Sequence, residues 1–184
     1  MRTLVVTENV TLDGVMDMSG GWFDPVDTEV DQSDLAAATA EHSAAADALL
    51  VGRNTFEAFR GFWPQQTDDP TGVSDYLNRV QKYVVSRTLG EPEWANSTVL
   101  RGPLVQEVQA LKQAPGKDIV ATGSTRLVHG LIEAGLVDEY RLFVFPVVAG
   151  RGARLFEAAE GALRLLETRP FRSGAVLLRY APAK

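Results

Sequence analysis

The sequence predicts an α/β fold: a mixed, mostly parallel sheet with flanking helices and a C-terminal antiparallel hairpin. Three observations point there. Short β-branched runs alternate with helical patterns as far as about Gly135. Alternation of this kind implies parallel strands covered on both faces. From Glu139 onward the patterns are strand-like only, which adds antiparallel edge strands. No internal repeat or low-complexity linker divides the 184 residues, so one domain over 1–184 is expected.

Each element has a local reason. Leu4-Val5-Val6-Thr7-Glu8-Asn9-Val10-Thr11-Leu12 is rich in β-branched residues and reads as the first strand. Asp13-Gly14 is a turn signal, and a glycine-containing loop runs on through Ser19-Gly20-Gly21-Trp22. From Asp31 or Ser33 to Asp47 the chain is mostly Ala with acids, a strong helix-forming composition that Ser33 is placed to cap. Ala48-Leu49-Leu50-Val51 is a short buried strand ending at Gly52, and a helix opens at about Asn54 or Thr55. Phe62-Trp63-Pro64 and Asp69-Pro70-Thr71-Gly72 make a long loop before a short helix over Val73 to Arg79.

Lys82 to Ser86 and Ser97 to Leu100 are the third and fourth strands. Leu104 to Gln113 is a helix whose Leu104, Val108 and Leu111 form an i, i+4, i+7 stripe, and Pro115-Gly116 ends it. Asp118 to Thr122 is a fifth strand. It leads through Gly123-Ser124-Thr125 into a helix with Leu127, Val128, Leu131 and Ile132 on one face, capped by Gly135. Glu139 to Val148, Leu163 to Arg172 and Ala175 to Tyr180 are the last strands, with Ser173-Gly174 as the hairpin turn.

Composition limits the functional classes. Hydrophobic residues are 45% and charged residues 23%, too apolar for disorder. The balance of 18 Lys plus Arg against 24 Asp plus Glu leaves −6 and argues against nucleic acid, whose affinity comes largely from cations on phosphate. With no cysteine, disulfides, thiolate metal sites and Cys nucleophiles are impossible. His42 and His129 sit in no metal-ligand pattern, so no metal is expected, and no nucleophile elbow supports Ser-His-Asp chemistry. The start turns polar too soon for a signal peptide, and no apolar run nears the roughly 18 residues of a membrane span. A cytoplasmic protein with no membrane partner is expected.

Candidate chemistry gathers at strand-to-helix junctions. Leu50-Val51-Gly52-Arg53-Asn54-Thr55 and Val120-Ala121-Thr122-Gly123-Ser124-Thr125 each end a buried strand and open a helix. In a parallel sheet such junctions lie at the carboxyl ends of strands, where open α/β folds bind ligands. Glycine lets backbone approach a ligand, while free N–H groups and the helix dipole favour an anion. Glycine there equally serves a tight turn alone. Val84-Val85-Ser86-Arg87-Thr88 is a third junction, carrying a hydroxyl and a guanidinium. Arg53 and Arg87 are suited to bidentate phosphate contacts, including the 2′-phosphate of NADP. No G-x-G-x-x-G follows a strand, and Gly150-Arg151-Gly152 reads as a loop.

Thr11-Leu12-Asp13-Gly14, Leu50 to Glu57, Val84-Val85-Ser86-Arg87 and Gly123-Ser124, in this order and spacing, resemble the dihydrofolate reductase fold. Leu136-Val137-Asp138-Glu139, then Phe145 to Gly152 and Leu155-Phe156, resemble its riboflavin-biosynthesis reductase C-terminal-domain branch rather than a housekeeping dihydrofolate reductase. The match runs from about Arg2 to Tyr180. The resemblance implies a dihydrofolate reductase-like three-layer fold and NADPH as cofactor. Gly52, Arg53, Thr55, Ser86 and Arg87 would take the adenosine phosphates, and Gly123, Ser124 and Thr125 the pyrophosphate. The nicotinamide would lie near Asn9, Val10 and Met16. Where these reductases carry a Gly-Gly pair this chain has Gly123-Ser124, so the Ser124 side chain either crowds the pyrophosphate or adds a hydrogen bond.

The resemblance also implies a carboxylate on the first helix that holds the substrate ring and assists protonation. Counting back from Gly52 lands in Leu35-Ala36-Ala37-Ala38, bracketed by Asp34 and Glu41, with Asp31 further off. Asp34 is the candidate; a first-turn acid favoured by the helix dipole is its other reading. Trp22, Phe23, Phe62 and Trp63 are candidate walls for a planar ring, or anchors of long loops. The expected activity is NADPH-dependent reduction of a small planar heterocycle, pterin-like or pyrimidine-like. The alternatives are an NADP(H)-binding module without turnover, with a regulatory role open to it, and a structural dimer with an empty cleft. Phe143-Val144-Phe145 and the terminal hairpin would supply a homodimer surface, as in the riboflavin branch.

Overall fold

Strands made of Val, Leu and Ile bury both their faces and so occupy the middle of a sheet. The computed structural model describes residues 1–23, 30–157 and 159–183. Its strands are β1 (Leu4–Thr11), β2 (Ala46–Gly52), β3 (Gln81–Val85), β4 (Ser97–Leu100), β5 (Asp118–Ala121), β6 (Glu139–Phe145), β7 (Leu163–Pro170) and β8 (Val176–Pro182). They form one eight-stranded sheet in the order β4-β3-β2-β5-β1-β6-β8-β7. The first six strands in this order, β4, β3, β2, β5, β1 and β6, run parallel to one another, while β8 runs antiparallel to both β6 and β7. The mixed, mostly parallel sheet with a terminal hairpin is the expected one.

Among the described residues five α-helices cover the sheet: α1 (Ser33–Ala44), α2 (Arg53–Phe62), α3 (Val73–Arg79), α4 (Leu104–Gln113) and α5 (Thr125–Glu133). Period-2 alternation divides the core between two faces. Leu4, Val6 and Val10 of β1, with Ala48, Leu50, Ile119 and Ala121, pack against Val108 of α4 and Leu127, Val128 and Leu131 of α5. On the other face Leu49, Val51 and Val84 pack against Phe56 of α2 and Leu77 of α3. Phe143 and Leu177 on that side of β6 and β8 meet Ala38 and Leu35 of α1. The three layers are therefore α1–α3, sheet, and α4–α5. Among the described residues no helix is long and apolar enough to cross a membrane.

Several boundaries differ from expectation for identifiable reasons. α1 ends at Ala44 rather than Asp47, because Ala46 and Ala48 pair with Asp118 and Ile119 in the sheet. Burial in the ladder outweighs the helix propensity of alanine there. Ser33 does not cap α1: Gln32 is the N-cap and makes no side-chain cap bond. The Ser33 N–H and Oγ–H instead both donate to Asp31 Oδ1, at 3.0 and 2.7 Å. α2 opens one residue earlier than expected, at Arg53. β6 stops at Phe145, where Pro146 has no N–H to continue a ladder. β8 continues to Pro182, two residues past the expected Tyr180.

Buried lysines close element ends. Lys82, with no exposed surface, donates from Nζ to the carbonyls of Leu77 (2.7 Å) and Val80 (2.9 Å) at the end of α3. These are carbonyls that a helix end leaves without partners.

Candidate active site

The β2–α2 and β5–α5 junctions lie beside one another because β5 is the neighbour of β2, with Leu50 opposite Ala121. Two contacts join them. The Gly52 N–H donates to Ser124 Oγ at 2.7 Å. Gly123 adopts φ +75, and a Cβ built there would meet Thr55 Cγ2 at 2.8 Å. Only a residue without a side chain lets the 123–125 turn approach Thr55 so closely. The first turns of α2 and α5 thus converge at the carboxyl edge of the sheet, each with helix-terminal N–H donors and a positive dipole end. Gly52, Thr55, Gly123, Ser124 and Thr125 are brought together there.

The free N–H groups expected at these junctions are not those of the two glycines. The Gly52 N–H is taken by Ser124, and the Gly123 N–H donates to Glu8 Oε1 at 2.7 Å. The glycines shape the turns; the Ser124 N–H donates to the Thr122 carbonyl at 2.9 Å, so the donors are those of the first helical turns from Arg53 and from Thr125 onward. The Ser124 hydroxyl oxygen accepts a backbone bond across the junction, a role apart from the two expected of it at the pyrophosphate.

The β3 junction completes the edge, since β3 pairs with β2 on its other side. Arg53 spans the gap: Nη1 donates to Thr88 Oγ1 at 3.0 Å, and Nε to Glu57 Oε1 at 3.0 Å. Its side chain stays about half exposed, and Arg87 is exposed. Ser86 Oγ accepts the N–H groups of Thr88 (3.2 Å) and Leu89 (3.0 Å), which folds this junction into a tight turn. Its hydroxyl proton is left as the group it can offer a ligand.

The β1 end holds the remaining candidates. Val10 and Met16 are each 4% exposed and belong to the core facing α5. Asn9, of opposite parity, is half-buried on the face of α1, opposite Phe143 in register. Asp13 ties this end down. It accepts from Thr11 Oγ1 (2.6 Å), Ala149 N–H (3.1 Å) and Gly150 N–H (2.8 Å). Those bonds, the Thr11 hydroxyl first, hold its carboxyl down to about 2. Gly150-Arg151-Gly152 is accordingly a loop latched to the β1 turn.

Trp22 and Phe23 gather on Phe145, with ring centroids 5.8 and 5.3 Å from it. Trp22 Nε1 donates to the Asp17 carbonyl at 2.7 Å, fixing the loop after β1. Phe62 and Trp63 make a separate edge-on pair, with Trp63 buried in the α2–α3 core. The aromatic candidates therefore divide, and only the first pair stands at the β1–β6 end. Asp34 opens α1 nearby in sequence to Leu35, which packs with Phe145 on the same cluster. Its Oδ1 accepts the Leu35 N–H (2.9 Å) and its Oδ2 the Arg172 N–H (3.0 Å), joining α1 to the β7–β8 turn.

Glu8 was not singled out from the sequence. It is 2% exposed on the central strand, and burial pushes its carboxyl up to about 8 against the pull of the Gly123 bond. The signal for it was an acid in phase with Leu4, Val6 and Val10, the inward-facing positions of β1.

The geometry fits an anionic dinucleotide: converging helix N-termini, a turn too close for a side chain, and two arginines at the rim. Comparison with known proteins agrees in fold. Residues 2–177 match the family model described as the RibD C-terminal domain. The chain is 32% identical over 185 residues to the uncharacterized protein YyaP of Bacillus subtilis (strain 168), covering 97% of this chain and 94% of that one. A pyrimidine reductase-like protein of Corynebacterium diphtheriae superposes with TM-score 0.68 at 16% identity, over 100% of this chain and 92% of the other. Dihydrofolate reductase of Enterococcus faecalis, complexed with NADP(H), gives TM-score 0.67 at 17% identity over 99% and 97%. The expected dihydrofolate reductase-like architecture is therefore present, and the chain belongs to the RibD C-terminal domain family.

Proposed function

We propose that this chain is an NADPH-dependent reductase acting on a small planar heterocycle, pterin-like or pyrimidine-like. The convergence of the α2 and α5 N-termini across the Ser124–Gly52 bond, rimmed by Arg53 and Arg87, is the observation that carries this reading. The family, and fold neighbours described as reductases, support reductase-type chemistry.

NADPH, when bound, supplies a hydride to a C=N or C=O carbon. The chain's own part is to bind, orient and exclude water. Thr55, Ser124 and Thr125, with the first turns of α2 and α5, would hold the pyrophosphate. Arg53, Ser86 and Arg87 would hold the adenosine phosphates. Trp22, Phe23 and Phe145 would wall a flat substrate at the β1–β6 end, beside Asn9. The proton that follows the hydride comes from water or from Asp34.

The engagement of both Asp34 oxygens by backbone N–H groups favours a second reading, a dinucleotide-binding module without turnover. Consumption of NADPH with dihydropteridine, flavin-precursor and small carbonyl substrates separates the two. Turnover with one class, lowered about 100-fold in Asp34→Asn with NADPH affinity nearly intact, is expected of the reductase with Asp34 as acid. Unchanged turnover in Asp34→Asn assigns the proton to water. NADPH binding without consumption of any substrate supports the module.

A further inference from the structure

The two glycine junctions are joined to each other by Ser124, but a third strand sets their height. Glu8 stands on β1, whose Val6 is opposite Ala121 of β5, so two residues further along both strands Glu8 reaches the level of Gly123. Its Oε1 accepts the Gly123 N–H at 2.7 Å from a fully buried position. Gly123 is the residue whose φ of +75 and contact with Thr55 bring α5 to α2. The chain of contacts is therefore Glu8 to Gly123, then Ser124 to Gly52, linking β1, β5 and β2 at one edge.

We propose that Glu8 is the positioning residue of this cradle, its carboxyl holding the 123–125 turn at the place where the dinucleotide pyrophosphate binds. The proposal rests on the dinucleotide reading above. A backbone N–H buried beside an apolar side chain would seek another partner, and the turn would leave Thr55 and Ser124 to find it. Burial keeps the Glu8 carboxyl neutral at pH 7, since its value is raised to about 8. An anion bound above the turn therefore meets no opposing charge beneath it. A neutral amide of the same shape would serve equally, because its carbonyl oxygen accepts the same bond.

Titration of the full chain with NADPH tests this. Glu8→Gln should bind within about twofold of wild type, while Glu8→Leu, similar in size and with no acceptor, should bind at least about tenfold more weakly. Thermal unfolding of both variants separates this from general destabilisation: rescue of binding by Gln is the result a merely space-filling role would not give. A second measurement needs neither variant nor nucleotide. The Gly123 amide of the wild-type chain should resist hydrogen exchange as the β1 amides do. Wild-type affinity in Glu8→Leu, weakened binding in Glu8→Gln equal to that in Glu8→Leu, or fast exchange at Gly123 overturns the role of Glu8 and leaves the dinucleotide reading standing. A wild-type chain that binds no NADPH at near-millimolar concentration overturns both.

Discussion

Burying an ionisable side chain shifts its titration, and the stability of the fold then depends on pH. Glu8 is raised by burial to about 8 from 4.5, so the folded chain keeps a proton that the unfolded chain gives up between those values. Its contribution is whole below about 4.5 and is lost as pH rises through about 8. His42 works the other way: burial, followed by repulsion from Arg141, lowers it to about 4 from 6.5. Its contribution is whole above 6.5 and is lost as pH falls through about 4. The two slopes oppose each other below 6.5, and Glu8 acts alone from there to about 8. The unfolding free energy of the wild-type chain should therefore fall across that upper window, at no more than about 1.4 kcal/mol per pH unit, and its melting temperature with it. Glu8→Gln should remove the fall, and a wild-type curve as flat as the variant's contradicts the buried neutral carboxyl. The acid was legible in the sequence only as part of a strand. Its parity with Leu4, Val6 and Val10 marks it as inward-facing, but the partner that makes it useful is Gly123, over a hundred positions away along the chain.

Elements with sharp chemical punctuation were legible at both ends. α4 runs from Leu104 to Gln113, after Pro103 and before Pro115-Gly116, and α3 and β4 also have the expected bounds. The α1–β2 boundary was not legible, because alanines continue from the helix into the strand and only pairing with β5 distinguishes them. Junction loops show the same division. That Gly52 ends a strand and Gly123 lies in the turn after one was readable, whereas the use of their N–H groups inside the protein depends on which strands become neighbours. The junction contact can be isolated by comparing two glycines in left-handed backbone. Gly123 (φ +75) has Thr55 Cγ2 at 2.8 Å from a built Cβ, while Gly135 (φ +62) has nothing within 4 Å. Both Gly→Ala variants should lose about 1–2 kcal/mol from backbone strain. Gly123→Ala alone should also weaken NADPH binding, by about tenfold if one hydrogen-bonded turn is displaced. Equal NADPH affinities in the two variants would contradict the close approach of α5 to α2.

Across the whole molecule, a net charge of −6 opposes a ligand rich in phosphate. The strand order removes the conflict. Placing β5 between β1 and β2 sets three junctions side by side, and with them two helix N-termini, Arg53 and Arg87. Local potential at that edge is set by these groups, with Arg53 paired to Glu57, while other acids are spent elsewhere. Asp47 pairs with Arg2, Asp138 with Lys112, and Glu139 with Arg141 and Arg179. Order of strands is a property of the folded chain, so the junctions were legible one by one and their assembly was legible only through family resemblance. On the proposed reading this edge binds NADPH, with Arg53 and Arg87 on its extra phosphate. Paired titrations of the chain with NADPH and NADH test it most directly. NADPH should bind more tightly, and Arg53→Ala or Arg87→Ala should reduce the affinity for NADPH to that for NADH. Equal affinities in the wild-type chain, or a preference that survives both substitutions, would contradict it.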